Sequence, residues 1–273
     1  MRTRLFRLAS LALSAFLMTG SLAAQSTDLR RLATENDALA WQSVGRLDIS
    51  GSGFCTGTLI APDLVLTAAH CVFHRGSLVA AGEISFKAGL TNGSASARRS
   101  ISQIEAHPGY DPKRGHNGHN VRHDLALLRL AEPIPTSVLD PFAVFSGIAP
   151  NGPVSVVSYG RGRSDALSRQ RECRVLGRRD RLLALDCDVT FGSSGAPVFT
   201  HVNGRGQIVS VISGGGRYGD QEVAFGMSLP PLLNDLKRQM RANKARPVAT
   251  VRRLGGGSNK SSVGAKFVTP NGS

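Results

Sequence analysis

From Trp41 onward, short apolar runs alternate with turns rich in Gly, Pro and Asn, a pattern typical of many short strands. Residues 54–60 and 64–69 are two such runs, with a turn signal at Pro62-Asp63 between them. The other predicted strands are 124–130, 154–159, 181–189, 196–200, 208–213 and 223–229. This spacing predicts an all-β fold built as a barrel or a sandwich.

One helix is expected near the end of the chain. Pro230-Pro231 opens it, and its apolar face consists of Leu232, Leu233, Leu236 and Met240. Residues 134–153, in a proline-rich stretch, have the composition of a linker. Residues 243–273 are basic and rich in Gly and Ser, which predicts a disordered tail.

The N-terminus has the pattern of an export signal. Three arginines precede an uncharged stretch rich in Leu and Ala, and Ser21-Leu22-Ala23 is a small-x-small cleavage signal. We therefore predict a signal peptide over 1–24 and a secreted or periplasmic protein without a stable membrane anchor. The polar residues 25–40 are interpreted as an N-terminal arm or a short pro-segment.

The composition excludes global disorder, because 41% of the residues are hydrophobic and 19% are charged. The formal net charge is +14, but much of the excess lies at the two ends of the chain. We therefore expect no nucleic-acid partner. The arginine-rich stretch 161–181 is interpreted as the exposed face of a loop.

An oxidising compartment favours disulfides among the four cysteines. Local pairing, Cys55 with Cys71 and Cys173 with Cys187, is the economical choice among three connectivities. No Cys-x-x-Cys pair is present, so a zinc site is not expected. Four histidines lie around a Gly- and Asn-rich loop, which is interpreted as solvated: His107, His116, His119 and His123. No metal or organic cofactor is predicted.

Three segments carry residues with catalytic potential: LTAAHC at 66–71, HDLALL at 123–128 and GSSGAP at 192–197. In these segments the chain resembles the trypsin-like, chymotrypsin-fold serine proteases, and most of all their bacterial, glutamyl-endopeptidase-like branch. The resemblance covers about residues 41–240. It implies two six-stranded antiparallel β-barrels, the first at 41–133 and the second, with the C-terminal helix, at 154–242.

The resemblance assigns His70 as general base and acid, Asp124 as the orienting carboxylate and Ser194 as nucleophile. These roles suit the chemistry, because a serine hydroxyl needs a base within hydrogen-bond reach and a carboxylate must orient that base. The backbone N–H groups of Gly192 and Ser194 would form the oxyanion hole.

One position departs from the pattern of animal trypsin-like enzymes. They carry Asp immediately before the nucleophile, where it pairs with the ammonium created by zymogen cleavage, and this chain has Ser193. The segment before Trp41 also lacks an Ile-Val-Gly-Gly start. We expect that activation does not use this ion pair. Cleavage of a short pro-segment near Arg30-Arg31 remains open.

The resemblance also indicates substrate-binding residues. Asp188 stands where trypsin has the acid at the base of its specificity pocket, which would favour Arg or Lys if the carboxylate is buried. A structural role for Asp188, with small or apolar specificity, is the alternative. Ile212 and Val189 disfavour glutamate specificity. Ser213 and Gly215 belong to the strand expected to pair with the substrate backbone.

The sequence therefore predicts an exported serine endopeptidase that acts on protein or peptide substrates, and we expect a monomer. Two alternatives stay open. One is a catalytically inactive binding module on the same fold, and the other is a basic envelope-binding protein that acts through its tail.

Overall fold

The structure, a computed structural model, describes residues 27–148 and 151–244. The predicted signal peptide and the predicted tail from residue 245 onward lie outside the described residues. The strands are β1 Leu29–Arg31, β2 Val44–Ile49, β3 Gly53–Ala61, β4 Leu64–Thr67, β5 Phe73–His74, β6 Ser77–Leu78, β7 Ile84–Ala88, β8 Ala97–Ala106, β9 Ala126–Leu130, β10 Pro153–Gly160, β11 Arg163–Arg179, β12 Leu182–Leu185, β13 Pro197–Val202, β14 Arg205–Tyr218 and β15 Gln221–Ser228. The α-helices are α1 Glu35–Ala38, α2 Gly118–Val121 and α3 Pro230–Lys244, and short 3₁₀ turns cover Leu39–Trp41, Ala69–Val72 and Ala81–Glu83.

The first barrel is a closed antiparallel ring of six strands in the order β2-β3-β4-β9-β8-β7. Its inward positions carry large apolar side chains that are fully buried, among them Leu47, Leu59, Leu66, Phe86 and Leu127. Strand β9 begins at Ala126, which leaves Asp124 in the loop just before it. These residues belong to one core inside the ring.

The second barrel closes in the same way. Its strands follow the order β11-β10-β13-β14-β15-β12, and β12 pairs back with β11. Strand β1 is added at the outside of β11, where Leu29 pairs with Gln170 and Arg31 with Ser168. The two six-stranded antiparallel barrels implied by the resemblance are therefore confirmed.

Aromatic rings fill the junction between the barrels. Phe142 lies in the connection between β9 and β10, and its ring centroid is 4.7 Å from that of Phe199 and 5.9 Å from that of Trp41. Buried residues of both halves belong to one continuous core. This packing fixes the two barrels against each other.

The predicted C-terminal helix is confirmed as α3, and Leu232, Leu233, Leu236 and Met240 are all buried. The helix packs against β8 and β9 of the first barrel. Its last turn is anchored there by the buried Glu105 carboxylate, which accepts hydrogen bonds of 2.7 Å from Gln239 and 2.8 Å from Asn243. Among residues 27–148 and 151–244, no helix has the length and apolar character needed to cross a bilayer.

Two expectations differ from the structure. The arginine-rich stretch is not a loop, because most of it forms β11, which is paired with β10 on one side and β12 on the other. Small or apolar residues such as Leu167 and Cys173 are fully buried there, while Arg171 is exposed. The arm before Trp41 is also more ordered than its polarity indicates, because β1 pairs with β11, and Leu32 and Ala38 are buried.

Candidate active site

His70 and Asp124 are brought together by two short segments at the end of the first barrel. His70 lies in the 3₁₀ turn that follows β4, and Asp124 lies two residues before β9, the strand paired with β4. His70 Nδ1 is 2.7 Å from Asp124 Oδ2, and the His70 backbone N–H donates to Asp124 Oδ1 at 2.8 Å. The carboxylate therefore fixes both the ring and the backbone of the histidine.

The exposure of the two side chains differs in a way that suits proton transfer. The Asp124 side chain is 3% exposed, whereas that of His70 is 33% exposed and borders the groove. Burial opposes protonation of His70, but the charge and the hydrogen bond of Asp124 outweigh it, so the pKa of His70 is raised above its ordinary value. A neutral ring that donates from Nδ1 keeps Nε2 free as a proton acceptor.

Ser213 completes the surroundings of this carboxylate. It lies on β14 of the second barrel and is 2% exposed. Its hydroxyl donates to Asp124 Oδ2 at 2.5 Å. Sequence reasoning assigned Ser213 to substrate binding through its backbone, and the role of its side chain toward Asp124 was missed. Nothing in the local sequence indicates a partner 89 positions away.

The turn that carries Ser194 runs from Thr190 to Gly195 and contains two glycines with positive φ, 94° at Gly192 and 80° at Gly195. A Cβ on Gly192 would overlap the ring of Phe54, and one on Gly195 would overlap the Thr56 carbonyl oxygen and the Thr67 hydroxyl. Both positions therefore require glycine for two reasons: the backbone has a positive φ, and there is no space for a Cβ.

Thr56, on β3 of the first barrel, holds this turn with two hydrogen bonds and was not singled out from the sequence. Its N–H donates to the Ser194 carbonyl at 2.8 Å, and its hydroxyl donates to the Gly192 carbonyl at 2.8 Å. The same hydroxyl accepts from the Tyr159 N–H at 3.1 Å. Thr56 follows Cys55, whose disulfide partner Cys71 is next to His70. Cys55 and Thr56 thus connect the turn to the segment that carries His70.

The Ser194 side chain is partly exposed. Among the described residues, its hydroxyl makes no hydrogen bond, including to His70. The N–H groups of Gly192 and Ser194 likewise donate to no group in the part of the chain that the structure describes. Backbone N–H groups without an internal acceptor are available to a bound ligand.

Asp188 and Gly215 line an open pocket of about 470 Å3 next to the turn. The Asp188 side chain is exposed, and its backbone N–H donates to Gln170 Oε1 at 2.7 Å. Asp186 and Glu222 also line the pocket, together with Arg217. Asp186 is paired with Arg174 at 3.1 Å. The pocket is therefore acidic and open to water, without the buried carboxylate that the comparison with trypsin assumed.

A smaller cavity of about 230 Å3 lies beside His70 and Asp124 and is lined by Tyr110, His116 and Ser213. A Cβ on Gly214 would be 3.1 Å from His116 Nε2, so this glycine leaves room for the imidazole. Partial desolvation of the ring lowers the pKa of His116. The residue as a whole is exposed, in agreement with the solvated loop in which it was placed, and its ring also lines this cavity.

Both predicted disulfides are present, Cys55–Cys71 and Cys173–Cys187. The first lies against the site, with Cys71 Sγ 3.8 Å from His70 Nε2. These two sulfurs and the ring nitrogen are close enough to surround an ion. Because the sulfurs are joined to each other, they are not thiolates and are poor metal ligands.

The two antiparallel barrels define the chymotrypsin-like fold. The family model described as Trypsin matches residues 33–228. The chain therefore belongs to the trypsin family.

Similar proteins agree with this assignment. A stretch of 110 residues, 40% of this chain, is 36% identical to "Serine protease SP24D" of Anopheles gambiae and covers 37% of that protein. A stretch of 98 residues is 35% identical to human "Serine protease 56", covering 35% of this chain and 14% of that protein. The matches thus span little more than a third of these relatives, or less. The fold is similar to a solved structure of a Glu endopeptidase in complex with MPD, with a TM-score of 0.65, 21% identity, and coverage of 80% of this chain and 98% of the other.

Proposed function

We propose that this chain is an exported serine endopeptidase in which Ser194 is the nucleophile, His70 the general base and Asp124 the carboxylate that orients it. The single observation that carries the proposal is the bond between His70 Nδ1 and Asp124 Oδ2, 2.7 Å long, next to a turn whose serine hydroxyl is free. Membership of the trypsin family supports the same chemistry.

The residues suggest a mechanism in two halves. His70 Nε2 takes the proton of the Ser194 hydroxyl as its oxygen attacks the carbonyl carbon of the substrate. The resulting oxyanion accepts hydrogen bonds from the N–H groups of Gly192 and Ser194. The protonated imidazole then gives its proton to the leaving amine, and an acyl-enzyme remains on Ser194. Water repeats the sequence with His70 as base and releases the acid.

The bond between nucleophile and base is often long in unliganded hydrolases and tightens when substrate binds. We expect the distance between the Ser194 hydroxyl and His70 Nε2 to shorten in the same way. Asp124 contributes by stabilising the imidazolium that forms between the two proton transfers, since the carboxylate is buried and already bonded to the ring. The raised pKa of His70 reflects the same interaction with Asp124 before any substrate binds.

The substrate side chain is proposed to occupy the acidic pocket lined by Asp188 and Gly215. A basic substrate side chain is favoured if the Asp188 carboxylate binds it, and a small or apolar one is favoured if Asp188 has only a structural role. The change Asp188→Ser distinguishes these classes, because it should abolish cleavage after Arg and Lys in the first case and leave the preference unchanged in the second.

A peptide-library cleavage assay tests the proposed activity on the chain without residues 1–24. We expect cleavage by this protein and none by Ser194→Ala purified in parallel. Cleavage by both proteins would point to a contaminant, and cleavage by neither, with both folded, would favour an inactive binding module.

A truncation separates the endopeptidase from a binder that acts through its tail. It must be placed after Lys244, because α3 extends to that residue and Asn243 bonds to Glu105. An enzyme should keep its activity without residues 245–273, whereas a tail-dependent binder should lose its function.

A further inference from the structure

The Arg163 guanidinium lies beneath the Ser194 turn, outside the set of residues assigned to the reaction. Arg163 opens β11. Its Nη1 donates to the Ser158 carbonyl at 2.8 Å, and its Nη2 donates to the Ser158 hydroxyl at 3.1 Å and to the Ser193 hydroxyl at 3.0 Å. Ser158 and Ser193 are fully buried. One cation thus joins the end of β10 to the residue that precedes the proposed nucleophile.

The Ser193 hydroxyl uses all of its hydrogen-bonding capacity in this position. It accepts from Arg163 Nη2 and from the Thr190 N–H at 3.2 Å, and it donates to the Tyr159 carbonyl at 3.1 Å. A hydroxyl has one proton and two lone pairs, so no partner is missing. The side chain of Ser193 is therefore held in one place, and with it the backbone on either side, which supplies the N–H groups of Gly192 and Ser194.

The surrounding residues make room for the guanidinium. Gly160 pairs with Arg163 across the β10–β11 hairpin, and a Cβ on Gly160 would be only 2.7 Å from Arg163 Cζ. Gly160 has no positive φ, so space for the arginine accounts for the glycine better than backbone conformation does. Burial lowers the pKa of Arg163, and the Asp188 charge opposes this. Arginine keeps its charge in proteins, so the guanidinium stays a donor.

The described N-terminal segment does not provide this cation. Leu29–Arg31 pairs with the stretch of β11 from Ser168 to Gln170, and Arg31 Nη2 bonds to Asp165 at 2.7 Å. Ser193 itself carries no charge and cannot form an ion pair with an ammonium group. The neutral Ser193 hydroxyl instead accepts a hydrogen bond from the Arg163 guanidinium of β11.

We propose that Arg163 is a positioning residue: through Ser193 it holds the N–H groups of Gly192 and Ser194 in the arrangement that receives the oxyanion. This inference rests on the proposed peptidase function. It means that the cation that orders the turn is supplied by the folded chain itself and needs no newly cut N-terminus. A displacement of about 1 Å in such donors can cost about 100-fold in rate, so a contact that sets their position has a measurable effect.

Arg163→Met tests the proposal, because it keeps length and apolar character and removes the donors. Arg171→Met is the matched control, since Arg171 is exposed on the same strand. Both proteins, without residues 1–24, are compared with the wild type by hydrogen exchange of peptides covering 190–196 and by kcat and KM on a cleaved peptide. We expect Arg163→Met to speed exchange of 190–196 by about tenfold or more and to lower kcat by about 100-fold, with KM changed less than about twofold.

Two further variants keep the test informative if Arg163→Met misfolds. Ser193→Ala removes the acceptor and keeps the cation, and it should loosen the same peptides. Arg163→Lys keeps the positive charge but lacks the planar set of guanidinium N–H donors, and it should recover part of the kcat that Arg163→Met loses. Unchanged exchange and kcat in Arg163→Met and Ser193→Ala would overturn the proposal. So would loosening spread equally over both barrels with kcat of the folded protein unchanged.

The exchange measurement does not depend on activity. If the wild type cleaves nothing, the peptidase function fails, and the exchange of 190–196 still shows whether Arg163 orders the turn. If the wild type is active and Arg163→Met behaves like Arg171→Met, only the inference about Arg163 fails.

Discussion

Ser213 Oγ donates a 2.5 Å hydrogen bond to Asp124 Oδ2, the same oxygen that bonds to His70 Nδ1. With the His70 backbone N–H on the other oxygen, the carboxylate has three donors, and one of them comes from the second barrel. Three donors on one carboxylate fix its orientation. The two barrels therefore both determine where the proposed base points.

The first prediction concerns this bond. Ser213→Ala should lower kcat about tenfold and change KM little, since a hydrogen bond to a charged group contributes about 1.5–3 kcal/mol. Ser210→Ala is the control, because Ser210 is buried on the same strand but donates to the Met227 carbonyl. Steady-state kinetics of both variants check the prediction. Equal losses in the two would show that Ser213 acts only through packing.

The second prediction is the pH profile of kcat/KM. His70 must be neutral to act as base, and Asp124 raises its pKa above the ordinary value of about 6.5. Activity should therefore fall as pH decreases through a midpoint above about 6.5. Asp124→Asn should move that midpoint down and reduce activity by several orders of magnitude. A flat profile down to pH 4 would exclude His70 as the base.

The third prediction separates steric from backbone requirements at the nucleophile turn. Gly195 and Gly204 have nearly equal φ, 80° and 78°, but a Cβ on Gly204 meets nothing within 4 Å. Gly204→Ala should therefore cost only the backbone strain, about 1–2 kcal/mol. Gly195→Ala should cost at least about 3 kcal/mol, because its Cβ overlaps the Thr56 backbone. Urea unfolding of both variants measures the difference, and equal costs would contradict the steric account.

The fourth prediction is that acid destabilises the fold through its histidines. Burial, together with the charge of Arg181, lowers the pKa of His123, whose Nε2 is 3.0 Å from Arg181 Nη2. The unfolded chain then binds the proton more tightly, so the free energy of unfolding should decrease as pH falls below about 6.5. His70 has the opposite sign, because its raised pKa adds stability at low pH that is lost as pH rises through that pKa.

His123→Gln measures the contribution of that ring. The variant should show a shallower dependence of the free energy of unfolding on pH between about 8 and 5 than the wild type. His74→Gln is a suitable control, since His74 is exposed on β5. The same pH slope in wild type and His123→Gln would show that His123 does not contribute to the dependence.

The sequence predicted the elements whose signal is local. Short apolar runs on either side of a turn signal predicted β3 and β4, and the face formed by Leu232, Leu236 and Met240 predicted α3. The segments around His70 and Asp124 were recognisable because each motif is contiguous. The barrels followed from the resemblance, since short strands alone do not distinguish a barrel from a sandwich.

The interactions that join distant segments were not predictable in the same way. The bond from Arg163 to Ser193 spans 30 positions, and that from Ser213 to Asp124 spans 89. β11 was missed because its many arginines indicate an exposed loop, and its buried residues follow no regular alternation. The sequence left open whether the Asp188 carboxylate is buried, because exposure depends on neighbouring strands, and the side chain is exposed.

The most direct test of the central claim is covalent labelling of the chain without residues 1–24 by a fluorophosphonate probe, with the modified residue located by mass spectrometry. The account predicts one label, on Ser194, that disappears in Ser194→Ala and is strongly slowed in His70→Ala. No label on the folded protein, or a label that persists in Ser194→Ala, would contradict it.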